Sequence, residues 1–88
     1  MQEFIISNYI SKLDKNSIIF FALKNDINLN DSELDYIYKT IKNDYKVLLS
    51  NNYESIFNEA RNKLSLKNYD KIYKLYLVYR NMYEGFFN

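Results

Sequence analysis

The stretch Asp26–Asp31, DINLND, sets Asp26, Asn28 and Asn30 at the first three ligand spacings of a calcium loop. Such a loop needs glycine at its sixth place and glutamate at its twelfth, because the chain must turn sharply and then close on the ion with a bidentate carboxylate. Asp31 and Ile37 stand there instead, so the stretch reads as a capped connector and no metal is expected. Asp31, Glu33 and Asp35 are the densest carboxylate group. Paired carboxylates do acid–base work where their surroundings drive the two pKa values apart. These three fall in the first turns of a helix, where the backbone dipole favours negative charge, and the structural role takes precedence. A third set is basic: Arg61, Lys63, Lys67, Lys71, Lys74 and Arg80, opposed only by Asp70 between positions 61 and 80. Interleaved with tyrosine, such a segment can grip single-stranded nucleic acid through stacking and phosphate contacts. It equally suits a solvated helix face.

The residue types that are missing narrow the chemistry further. The 88 residues include no cysteine and no histidine. Disulfides, thiolate nucleophiles, His-based triads and the usual Cys/His zinc sites are therefore excluded. With one glycine in the chain, no glycine-rich phosphate loop can form. The expectation is a protein that is not an enzyme and has no cofactor. Twelve basic residues face eleven acidic ones, for a net charge of +1, so the chain as a whole has no strong electrostatic pull toward nucleic acid or membrane. The N-terminus carries an early acid and a short apolar run broken by Asn8, unlike a secretory signal. No run approaches the roughly 20 apolar residues of a membrane span. A cytoplasmic protein with no membrane partner is expected. The surplus of Asn, Lys, Ile and Tyr is what the codons of an AT-rich genome encode.

Apolar spacing is helical almost throughout. Phe4, Ile5, Ile6, Tyr9, Ile10 and Leu13 predict a helix over 2–12. Asp14 is placed to cap a second over 15–25, carrying Ile18, Ile19, Phe21 and Ala22. Ile27 and Leu29 mark an extended connector whose apolar side chains turn inward. Asn30 and Glu33 have the spacing of a capping box and open a third helix that ends near Asn43, a residue tolerant of the left-handed conformation. Residues 45–50 read as a strand-like connector or one short turn. Asn51 and Glu54 repeat the capping spacing before a fourth helix over 52–64, with Ile56, Phe57, Ala60 and Leu64. Ser65 caps a fifth over 66–83, which Gly85 stops.

The last helix is tyrosine-rich. Tyr69, Tyr76 and Tyr83 form one row at heptad spacing, and Ile72, Tyr79 and Phe86 form another. Tyrosine suits the edge of a small core, where the ring is buried and the hydroxyl reaches the rim. Most of the stripe is therefore expected to be core. Tyr73 and Leu77 lie on one flank; Leu75, Val78 and Met82 lie on the other, so the apolar arc covers over half the circumference. Lys67, Lys71, Lys74 and Asn81 mark the wet side.

The order of these features resembles the YqfT-like family, short uncharacterised proteins of low-GC Gram-positive bacteria. The resemblance rests on an apolar helix followed by Leu13 and a cap at Asp14, and on Ile18 and Ile19 around Ala22. It continues with the I-x-L connector at Ile27 and Leu29, the cap at Asn30, and Ile72, Leu75 and Tyr76 in the last helix. This chain has Asn43 and Asp44 where the family tends to have glycine, and lacks the family's proline before the last helix. The resemblance implies an all-α fold and no known activity. Residues 15–43 also resemble the helix–extended loop–helix modules of the SAP and LEM type, some of which bind DNA. Asp26, Asp31, Glu33 and Asp35 make this copy acidic and set it against that use.

These readings predict one all-α domain over 1–88, a small bundle of four to five helices with an extended connector near 27–29. The expected function is protein–protein interaction, with another protein or in a homo-oligomer, through Tyr73, Leu77, Val78 and Met82. The alternatives are nucleic-acid binding through Arg61, Lys63, Lys67, Lys71, Lys74 and Arg80, or a phage or mobile-element inhibitor.

Overall fold

The computed structural model describes residues 2–86, with side chains from Ile5 to Gly85; the predicted core places of Phe4 and Phe86 lie outside the described side chains. The protein is all-α. Five helices run in order, α1 (Gln2–Lys12), α2 (Lys15–Lys24), α3 (Asp31–Leu48), α4 (Tyr53–Ala60) and α5 (Leu66–Met82), followed by a 3-10 turn at Glu84–Phe86. No strand occurs among the described residues. The chain divides into two compact units, Met1–Tyr45 and Lys46–Asn88.

In the first unit, α2 starts where Asp14 accepts hydrogen bonds from the Ser17 backbone N–H at 2.8 Å and from its hydroxyl at 2.9 Å. Those two donors hold the Asp14 carboxyl below its ordinary pKa. The α2 C-terminus is closed by Asp26 in the left-handed region, φ 60. The Asp26 N–H donates to the Leu23 carbonyl at 3.1 Å and the Ile27 N–H to the Ala22 carbonyl at 2.8 Å. This is the double closure of a Schellman end, usually built on glycine. Asp26 therefore ends a helix, and among the described residues no group of three or more acidic side chains could hold a metal ion. Ile27 is buried next to it and Leu29 half-buried, as the connector reading expects.

The capping box of α3 is complete. The Glu33 N–H donates to Asn30 Oδ1 at 2.8 Å and the Asn30 N–H donates to Glu33 Oε1 at 3.1 Å. Glu33 is only 4 % exposed, so it belongs to the helix start. Asp35, further along, pairs with Lys39 at 3.0 Å and with Lys15 at 3.2 Å, which lowers its pKa, Lys39 contributing most. Lys42 donates to the Ile10 and Ser11 carbonyls at 2.8 and 3.0 Å. A cation thus sits against the carbonyls at the α1 C-terminus, where the helix dipole favours positive charge.

The third helix does not end at Asn43. It breaks at Asp44 (φ −121, ψ 18), then continues for one more turn to Leu48. Asn43 is not left-handed; Asp26 alone among described non-glycine residues has positive φ. At the break a short Asp side chain competes with helical backbone pairing.

Candidate functional site

In the second unit, Phe57 of α4, 6 % exposed, is the hub of an aromatic cluster. Its ring lies 4.5 Å from that of Tyr73, 5.0 Å from Tyr76, 6.3 Å from Tyr69 and 6.5 Å from Tyr53. Tyr73, expected on a free flank, is instead stacked on Phe57 with rings 26° apart. Burial pushes the Tyr73 hydroxyl above its ordinary pKa.

A polar node sits at the rim of this cluster. The Tyr76 hydroxyl donates to the Leu48 carbonyl at the end of α3. Arg80 Nη1 donates to Tyr76 Oη at 2.9 Å and to the same carbonyl at 3.3 Å, and Nη2 donates to Asn51 Oδ1 at 3.3 Å. The guanidinium also lies 4.5 Å from the Tyr53 ring centroid. Burial raises the Tyr76 pKa, and the Arg80 bond and charge oppose the rise. The capping box expected at Asn51 and Glu54 does not form: α4 starts one residue later, and Asn51 Oδ1 accepts from Arg80 instead. Asn52 precedes α4 and makes no side-chain cap.

Two of the six predicted basic residues thus serve the unit's own aromatics. Arg80 is in the node, and Arg61 donates to Tyr69 Oη at 3.3 Å and lies over that ring at 5.4 Å. Lys63, Lys67 and Lys74 are exposed and Lys71 is half-buried. Lys74 pairs with Asp70 at 3.0 Å, both side chains largely in solvent.

The heptad rows of α5 are core only over their first half. Tyr69 is buried and Tyr76 half-buried, whereas Tyr79 and Tyr83 are exposed and stack on each other, 6.2 Å apart. The reason is length. Helix α4 spans only Tyr53–Ala60, shorter at its far end than the expected 52–64, against 17 residues in α5, and its first residue, Tyr53, already lies beside Tyr76 with the rings 5.2 Å apart. At about 1.5 Å per residue, α5 outruns it by more than 10 Å. Ser65 caps α5 as expected, accepting from the Asn68 N–H at 3.1 Å. The helix ends at Met82 with Tyr83 as its C-cap, short of Gly85, which has no positive φ. Leu77, Val78 (54 %) and Met82 (63 %) are exposed.

A second apolar surface was missed in the sequence. On α2, Phe20 is 66 % exposed and Leu23 59 %, and Ile19 and Phe21, expected inward, are exposed as well. Lys24 Nζ sits 5.4 Å from the Phe20 ring centroid. Ile5 and Tyr9 of α1, one turn apart, are also exposed. The signal was present: Ile18–Leu23 is six apolar residues in a row, and at 100° each they surround the helix, so a helix packed on one side must expose some of them.

No family model matches the chain, and no curated protein or solved structure matches it either. Among the described residues, no helix is long and apolar enough to cross a membrane.

Proposed function

We propose that the protein is a non-enzymatic protein–protein interaction module acting in the cytoplasm, with another protein or a second copy of itself as partner. One observation carries the reading: large apolar side chains stand in solvent on regular helices, Phe20 and Leu23 on α2 and Val78 and Met82 on α5. Singly exposed apolar residues are ordinary, but adjacent ones on a helix face mark surfaces that are covered in use. The resemblance to the YqfT-like family brings no activity that competes with this reading.

The test combines sedimentation at rising concentration with cross-linking in the source cell, for wild type, Phe20→Asp and Val78→Asp. Wild type is expected to self-associate or to give a discrete adduct. At least one variant should remove that species while its melting temperature stays near wild type. A wild type that remains monomeric and gives no adduct sinks the proposal. A variant that unfolds shows that its face is core.

A further inference from the structure

Two sequence features read as separate, the late lysines and the apolar flank of α5, form one stripe. Lys67, Lys71, Lys74, Val78 and Met82 follow at i, i+4, i+7, i+11 and i+15 within α5. At 100° per residue they lie within an arc of about 80°, and they extend about 22 Å along the axis. All are exposed except Lys71, which is half-buried. One end of the stripe is cationic and the other apolar.

Lys67 lies at the wrong end of the helix for local stability. A helix N-terminus carries partial positive charge and favours acids in its first turn. The first turn of α5 has none, and Lys67 stands there. Among the described residues no ion pair of Lys67 offsets this cost, whereas Arg61 and Arg80 have clear structural partners. A local rule broken without a structural gain points to use. The unit around the stripe counts seven basic residues against four acidic ones, a net +3. The Lys74–Asp70 pair is solvent-exposed on both sides, so it contributes little and can be exchanged for another carboxylate.

We propose that this stripe docks an acidic amphipathic helix of a partner protein. The partner's carboxylates would meet Lys67, Lys71 and Lys74, and its apolar residues would cover Val78 and Met82. The proposal rests on the interaction-module reading above and names the chemistry of the partner. Carboxylates near the α5 N-terminus gain from the lysines and from the helix dipole together. A helix laid along the stripe uses its apolar end as well, which a nucleic-acid backbone does not.

Two fluorescein-labelled helical peptides of about eighteen residues serve as probes. Each carries glutamate along one half of a face and leucine along the other, in opposite orders, so that both orientations are sampled. Anisotropy is read with full-length protein at low and high salt, with an oligothymidylate of roughly twenty nucleotides as competitor. One peptide should bind, weaken with salt, and resist the competitor. Lys67→Glu should lower its affinity at least tenfold while raising the melting temperature by about 2–4 °C. Val78→Asp should also abolish binding. The proposal is overturned if neither peptide binds, if binding survives Lys67→Glu, if that variant melts lower, or if oligothymidylate displaces the peptide, which would assign the stripe to nucleic acid. The peptide experiment is independent of the cross-linking test. Peptide failure alongside an adduct lost in Val78→Asp rejects the acidic helix and leaves the interaction module standing.

Discussion

Phe57 and Phe20 are both phenylalanines inside helical apolar runs, and the structure assigns them opposite fates. Phe57 is 6 % exposed with four aromatic neighbours, and Phe20 is 66 % exposed. Truncating Phe57 to alanine removes most of a ring that buries roughly 150–200 Å². At about 25 cal/mol per Å² the transfer loss is about 4–5 kcal/mol, at the upper end of what Phe-to-Ala truncation of a core ring costs. A protein of this size has about 4–13 kcal/mol of stability in all. Phe57→Ala should therefore melt some 15–30 °C lower or fail to fold, while Phe57→Leu, which keeps most of the volume, costs about 1–2 kcal/mol. Phe20→Ala should stay within about 0.5 kcal/mol of wild type. Urea unfolding followed by circular dichroism measures all three. A cost below about 1.5 kcal/mol for Phe57→Ala, or above that for Phe20→Ala, would refute the assignment of core and surface.

Other measurements probe the caps and the node. Asp26→Gly relieves a non-glycine residue at φ 60 and should stabilise the protein by about 0.5 kcal/mol; a lower melting temperature would contradict the Schellman closure. Glu33→Ala removes one half of the Asn30–Glu33 box and frees the Asn30 N–H, and thermal melts should show a loss of about 1–2 kcal/mol. Tyr76→Phe deletes both the bond to the Leu48 carbonyl and the acceptor for Arg80, at about 1.5–3 kcal/mol in denaturant titrations. The Tyr73 and Tyr76 hydroxyls have folded pKa values raised above their ordinary 10.0. Their contribution to stability is thus complete below about pH 10 and is lost as pH rises through the folded values. Stability measured from pH 9 upward should fall, and fall less steeply in Tyr76→Phe; an unchanged slope would show that this hydroxyl does not titrate with unfolding.

Much of the helical order is written locally. Asp14, the Asn30–Glu33 pair and Ser65 each act on an N–H three residues away, so spacing alone identifies the starts of α2, α3 and α5. The Ile27–Leu29 connector is legible for the same reason, since an apolar pair beside a cap leaves the chain few conformations. Asn51 and Glu54 show the limit of local spacing. They have the same separation, but the Asn51 carbonyl is taken by Arg80, 29 residues later, and no window along the chain reveals that competitor.

Which apolar residues are core was decided by tertiary structure. An apolar period tells which residues share a helix face, but not how far a neighbouring helix extends over it. Because α4 begins only at Tyr53, whose ring already lies beside Tyr76, the tyrosine rows of α5 are buried at Tyr69 and exposed at Tyr79 and Tyr83. Tyr73, placed on a free flank by the helical wheel, is half-buried because it stacks on Phe57. Arg61, still exposed, and half-buried Arg80 belong to a basic segment by sequence, but in the fold each meets a tyrosine hydroxyl and a tyrosine ring face. The sequence by itself determined an all-α chain, its caps and its excluded chemistries, through interactions that span a few residues. Only the fold could sort the surface from the core, because burial depends on which distant residues arrive, and local spacing carries no record of them.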